Sequence, residues 1–360
     1  MDSGQFNAWA GRSASPAREP FAAGPRVTVV IPTRDRWPTV TRAIACAVHQ
    51  QGVDVEVIVV DDGSRDQTIA GLAQINDERL RVLHLPESKG GAHARNVGIK
   101  EARGSWVAFL DDDDVWSPHK LRLQLEMAHA VQAGFVYARA VHVRYPGVVA
   151  RVAALPPPGN LAQRLLVGNE IPAGASNILV PTDLVRELGG FDERLDHLAD
   201  WDLWIRLAHA ATAAACDDVL VGYVEHTQNR YKYAGDVVGA EFEYLVDKHR
   251  AVSEAAGVEF DRARFARGTA LGYLRVGRRT SAAQVYLRSA LTHRNLGNAT
   301  RAAGALLGES FRDRVARDTR SRPIHELDWL AGVWDSEEVL RMTGRESEGV
   351  RSETQNLTYW

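Results

Sequence analysis

Four consecutive aspartates, Asp111 to Asp114, directly follow the apolar run Trp106-Val107-Ala108-Phe109-Leu110. Carboxylates packed this closely raise one another's pKa unless a cation neutralises them. A hard divalent ion such as Mg²⁺ takes one or two carboxylates and fills its other positions with phosphate oxygens and water. An acidic turn after a buried strand therefore suits a cation with a diphosphate, the alternative being a solvated acidic loop. A second acidic pair, Asp61-Asp62, closes the apolar run Val55 to Val60. A third, Asp200 and Asp202, opens the helical pattern Ala199-Asp200-Trp201-Asp202-Leu203-Trp204.

Those groups need elements to bring them together. Val27-Thr28-Val29-Val30-Ile31 predicts a buried strand ended by Pro32, and Trp37 to His49 predicts a helix with Val40, Ile44 and Val48 on one stripe. Val55 to Val60, Leu80 to Leu85 and Trp106 to Leu110 predict three more strands. Helices are expected from about Asp66, from Gly90-Gly91 to about Ala102, and after Ser117 and Pro118, which read as N-cap and first helical position. Alternation at this spacing means βαβ units and a mainly parallel sheet covered on both faces. The first, second and fourth strands each end in a polar or acidic turn, so those turns gather at the carboxyl edge, where open α/β sheets bind ligands.

Further along, Pro156 to Gly159 breaks the pattern, Asn177 to Val180 predicts a short strand, and Asp200 to Ala210 a helix. Past about Arg230 the β signals stop. From Ala240 to about Leu307 the chain is Ala-, Leu- and Arg-rich at helical spacing, with Leu271, Leu274, Leu287 and Leu291 as the expected seam. The reading is a flexible tail over 1–25, an α/β domain over 26–230, a helical region over 231–345 and a loose tail over 346–360.

Composition narrows the classes. The 360 residues carry a formal charge of −3, which makes no case for nucleic-acid binding. Cys46 and Cys216 sit in Ala-rich apolar settings and are expected to be buried thiols. The N-terminal segment has no apolar core of signal-peptide length, and no stretch approaches the ~20 apolar residues of a membrane span. The expectation is a reducing, cytoplasmic location. Arg262 to Arg322 contains 14 Arg against three acidic residues. That stretch is the candidate for docking on an anionic surface, such as the inner face of a membrane, or for homodimer packing.

Six motifs in order, VTVVIPTRDR, VIVVDDGSRDQT, KGGAHARNVGI, WVAFLDDDDVWSP, LGGFDE and ADWDLWIRL, resemble the inverting GT-A enzymes of glycosyltransferase family 2, over roughly Val27 to His226. The resemblance implies an open mixed, mainly parallel nucleotide-binding sheet flanked by helices, with the helical region as a C-terminal extension. It implies transfer of a sugar from a nucleoside-diphosphate donor, most readily a UDP-sugar, to an acceptor hydroxyl, with Mn²⁺ or Mg²⁺ as cofactor.

By the same resemblance, Pro32, Thr33, Arg34 and Asp35 adjoin the nucleotide base, and Asp62 accepts from the uracil or ribose. Asp35 could equally cap a helix, and Asp62 could serve its Asp-Gly turn. Gly91 and Arg95 lie along the nucleotide and sugar. Asp113 binds the metal, Asp111 holds ribose or the ion through water, Asp112 supports them, and His226 is a further candidate near diphosphate or metal. Trp116 is assigned either to the donor pocket or to packing. Asp200 is the general base and Asp202 its competitor. Ala199 stands where the family carries Glu, which bears on acceptor contacts. Two rival readings are a nucleotidyltransferase and an inactive nucleotide-sugar-binding protein. The first usually has a glycine-rich loop after its first strand, and PTRDRW has no glycine.

Overall fold

The computed structural model describes residues 26–144, 148–225, 236–292, 296–307 and 327–334. Both terminal tails, His226 and residues 308–326 lie outside that description.

In chain order the first half runs β1 (Val27–Thr33), α1 (Val40–Val48), β2 (Val55–Asp61), α2 (Thr68–Leu72), β3 (Leu80–His84), α3 (Gly91–Glu101), β4 (Trp106–Phe109), β5 (Val115–Trp116) and α4 (Lys120–Val131). There follow β6 (Phe135–Arg144), β7 (Val148–Val152), α5 (Leu161–Val167), a 3-10 turn (Gly174–Asn177), β8 (Leu179–Pro181), α6 (Thr182–Glu187), α7 (Ala199–Ala210) and β9 (Ala213–Glu225). Six helices complete the described chain: α8 (Asp236–Lys248), α9 (Arg250–Ala256), α10 (Arg262–Arg275), α11 (Arg279–Thr292), α12 (Leu296–Leu307) and α13 (Asp328–Trp334).

The strands form one sheet in the order β3-β2-β1-β4-β8-β6-β9-β5, with β7 paired to β6. The expected βαβ half is present: β3, β2, β1 and β4 run parallel, so Thr33, Asp61 and the residues after Phe109 finish at one edge. β8 joins β4 antiparallel and turns the sheet mixed.

Alternation along the parallel strands divides the core. Val29, Ile31, Val57 and Val59 face one layer with α1 and α4. Val30, Ile58, Val60 and Phe109 face the other with α3, α5 and α7. All of these strand residues are fully buried, each side chain stabilising by roughly 1.5–3 kcal/mol relative to exposure. Gly98 lets α3 lie directly on β1, because a Cβ there would overlap the Val30 side chain.

Several expectations shift. The first helix starts at Val40, not Trp37, and α4 starts at Lys120. Ser117 and Pro118 precede that helix in a tight turn closed by the Lys120 amide donating to the Ser117 carbonyl at 3.1 Å. The expected leucine seam of the C-terminal helices is corrected: Leu271, Leu287 and Leu291 are 49%, 50% and 74% exposed. Ala270, Tyr273, Ala282, Ala283, Tyr286, Ala302 and Ala305 form the core there, with Leu274 packed against it. Small alanines permit close helix approach, and the longer leucines are turned outward. α11 packs between α10 and α12, and the fastening to the sheet domain comes earlier, through Phe265 stacked on Phe242 with ring centroids 3.8 Å apart. Cys46 and Cys216 are free and buried, and burial pushes their thiols up to about 11 and about 12. Among the described residues no helix is long and apolar enough to cross a membrane.

Candidate active site

The carboxyl ends of β1, β2 and β4 enclose a cleft of about 410 Å³. Pro32, Thr33, Arg34, Asp62, Gly91, Arg95, Asp111, Asp112 and Asp113 all line it. A neighbouring hollow of about 500 Å³ shares Arg34 and Ser88 with it.

Each wall is fixed by local bonds. Thr33 Oγ1 donates to Asp112 Oδ2 at 2.7 Å, tying the end of β1 to the acidic run. Arg95, one turn into α3, pairs with the Asp111 carboxylate, and its guanidinium lies 5.5 Å from the Phe191 ring centroid. Arg36 stands 3.8 Å from Asp113. Asp62 accepts from Ser88 Oγ at 2.6 Å and from the amides of Lys89 and Gly90 at 2.8 and 2.9 Å. Its first role is therefore to hold the turn into α3, where Gly90 adopts φ +95°, a conformation open to glycine.

The four aspartates divide their work. Asp114 is fully buried and accepts from Ser176 Oγ at 2.6 Å and from the Val224 amide at 3.0 Å. Burial first, then the charges of Asp113 and Asp111, raise its carboxyl well above the usual range. Burial and the Asp113 charge push Asp112 up to about 7, opposed by the Thr33 hydrogen bond and the Arg36 charge. Asp111 and Asp113 are left facing the cleft against their arginines.

That crowding bears on a divalent cation. Among the described residues no three His, Cys, Asp or Glu side chains converge to hold an ion unaided. An ion of the Mg²⁺ type needs only one or two protein carboxylates when a diphosphate supplies further oxygens. Asp111 and Asp113 fit that role, and the arginines beside them suit an ion that arrives with its diphosphate rather than a preformed cage. His226 lies outside the described residues.

Asp35 and Trp116 both lie outside the cleft lining. Asp35 Oδ1 accepts from the Arg65 and Asp66 amides at 2.6 and 3.3 Å, and those bonds with the nearby Arg34 and Arg65 charges keep its carboxyl low. Trp116 is fully buried and donates from Nε1 to the Ser176 carbonyl at 2.7 Å, so packing is its role.

Asp200 and Asp202 separate clearly. Asp202 is fully buried, with Arg206 Nε at 2.9 Å, Lys248 Nζ at 2.7 Å and His249 Nε2 at 2.8 Å. Burial opposes its ionisation, yet the His249 bond and the Arg206 and Lys248 charges hold it well below the carboxylate range. It is a structural anion. Asp200 is half-buried in the first turn of α7, outside the cleft lining, and its Oδ1 accepts from the Trp201 amide at 2.7 Å. Its Oδ2 comes within 3.0 Å of where a Cβ on Gly174 would stand. Two residues on in that 3-10 turn, Ser176 Oγ accepts from the Asp111 amide at 3.0 Å. One short turn thus links Asp200 to the acidic run.

Arg36, Ser88, Asp196 and Tyr223 also line the cleft. Arg36 stands inside the first motif, PTRDR, and Asp196 four residues before Asp200. Tyr223 arrives from β9, which the reading of the sequence did not identify.

Residues 28–186 match the Glycosyl transferase family 2 profile. Among curated relatives, the chain is 47% identical over 109 residues to the succinoglycan biosynthesis protein ExoO of Rhizobium meliloti, covering 30% of this chain and 31% of that one. It is 28% identical over 181 residues to the UDP-Glc:alpha-D-GlcNAc-diphosphoundecaprenol beta-1,3-glucosyltransferase WfgD of Escherichia coli, covering 50% and 69%. It is 39% identical over 104 residues to the putative teichuronic acid biosynthesis glycosyltransferase TuaG of Bacillus subtilis, covering 28% and 41%. The first of these matches thus spans less than a third of its relative's length. Among solved structures, S. aureus TarS 1-349 in complex with UDP-GlcNAc is similar at a TM-score of 0.47 and 17% identity, over 89% of this chain and 90% of that one. The profile takes in β1 to β4 and the aspartate run, and stops short of Asp196, Asp200 and Tyr223. Over residues 28–186, this chain is thus similar to glycosyltransferase family 2.

Proposed function

We propose that the protein is a metal-dependent inverting glycosyltransferase that moves a sugar from a nucleoside-diphosphate donor, of the UDP class, onto an acceptor hydroxyl. One observation carries the reading: Arg34, Arg95, Asp62 and the aspartates 111–113 share a single cleft at the carboxyl edge of the parallel strands. The family-profile match over residues 28–186 and the UDP-glucose donor named for the WfgD relative support the donor class.

In this reading the nucleoside lies against Pro32, Thr33, Arg34 and Asp62, and Arg95 faces the diphosphate. Asp200 is the general base that takes the acceptor's hydroxyl proton as its oxygen attacks the anomeric carbon from the face opposite the diphosphate. Asp202 fixes the start of α7 and with it the position of Asp200. Asp113, with Asp111 beside it, would hold a Mn²⁺ or Mg²⁺ ion, whose charge would offset the negative charge on the departing diphosphate.

A thermal-unfolding screen of nucleoside-diphosphate sugars in Mn²⁺ tests the donor class, because a ligand that binds only the native state raises its apparent stability. UDP and a UDP-sugar are expected to raise Tm. A panel in which no nucleotide raises it contradicts the proposal.

A further inference from the structure

Asp196 differs from every other carboxylate in the cleft. Asp62, Asp111, Asp112 and Asp113 are each engaged by a protein donor or an arginine. Asp196 is exposed, lines the same cleft, and accepts no hydrogen bond or ion pair among the described residues. Its backbone is nonetheless held firmly. Leu195 is fully buried on one side of it. On the other, the His197 and Leu198 amides donate to Glu241 Oε2 at 2.9 and 3.1 Å. Its Oδ1 reaches to 3.0 Å from where a Cβ on Gly90 would stand, so the carboxylate extends across the cleft mouth to the turn before α3. An unpartnered charged group on a firmly held backbone is suited to receiving a partner, since little backbone ordering entropy remains to be lost on binding.

The partner's chemistry follows from charge. A phosphate is repelled by a carboxylate, whereas the hydroxyls of a neutral sugar donate to it, and an adjacent pair can bind both of its oxygens. Asp196 lies four residues before Asp200 on the segment leading into α7. A transferred sugar must sit between the diphosphate and the base. Resting on the function proposed above, we infer that Asp196 is the donor-sugar selector: it binds hydroxyls of a neutral hexose and rejects a sugar that carries its own carboxylate.

Calorimetric titration of the native protein, Asp196→Asn and Asp196→Ala in Mn²⁺ tests this, with UDP, UDP-glucose, UDP-N-acetylglucosamine and UDP-glucuronic acid as probes. Native protein is expected to bind at least one neutral UDP-hexose more tightly than UDP. Both variants should bind that hexose roughly tenfold more weakly and UDP within about twofold of native, as loss of a hydrogen bond to a charged group implies. Asp196→Asn should also narrow the gap between UDP-glucuronic acid and UDP-glucose. Equal weakening of UDP and UDP-hexose, no weakening of either, or a native protein that binds UDP but gains nothing from any neutral hexose overturns the inference. A native protein that binds no UDP overturns the donor reading itself, and this inference with it.

Discussion

His249 Nε2 lies 2.8 Å from Asp202 Oδ1, with both side chains withdrawn from solvent. His249 Nδ1 is buried without a partner among the described residues, so the neutral ring carries its proton on Nε2 and donates it to Asp202. This pair commits Asp202 of the Asp200-Trp201-Asp202 segment to a structural role.

Asp202→Asn is expected to destabilise the fold, by about 3–5 kcal/mol, because it leaves buried Arg206 and half-buried Lys248 facing a neutral amide. Asp200→Asn is expected to leave the melting temperature near native while kcat falls about 10²–10⁴-fold, the usual contribution of a positioned general base. Paired urea melts and donor-turnover assays separate the two. A stable, inactive Asp202→Asn beside an active Asp200→Asn would reverse the assignment.

The pair also sets a pH dependence. Burial, outweighing the Asp202 bond, lowers His249 below its ordinary 6.5, so in the histidine range the unfolded chain binds more protons than the folded one. Stability therefore falls as pH drops through that range. The Asp202 contribution is present above the ordinary carboxylate value of 3.8 and is lost only as pH falls through its depressed folded value. Urea-unfolding free energies taken between about pH 7.5 and about pH 5.5 should decline, and His249→Gln should flatten that decline. An unchanged slope in the variant would remove His249 from the account.

Excess EDTA should abolish turnover and Mn²⁺ or Mg²⁺ should restore it. Asp113→Ala should lose most of its rate together with the Mn²⁺-dependent part of the nucleotide-induced rise in Tm. Full activity in EDTA would contradict the metal dependence.

Much of this site was legible because apolar runs end abruptly in chemistry: Ile31 before Pro32, Val60 before Asp61-Asp62, Leu110 before Asp111. Parallel strands then have little choice but to gather those ends. What escaped had no such punctuation. β9 begins Ala-Ala-Ala-Cys-Asp-Asp, which matches neither a strand alternation nor a helical stripe, so Tyr223 could not be placed. Asp196 sits in an irregular connection whose geometry depends on Glu241, 45 residues away by subtraction of their numbers. Leu287 and Leu291 misled in the opposite way. In an alanine-rich helix apolar residues occur on every face, and the alanines packed inward.

The central claim is single displacement of the diphosphate with Asp200 as base. Once a UDP-sugar donor is identified, proton NMR during its slow enzymatic hydrolysis, with water standing in for the acceptor, tests that claim most directly. The account predicts that an α-linked donor first releases the β-anomer, before mutarotation mixes the two, and that Asp200→Asn suppresses this release. First appearance of the α-anomer would contradict it.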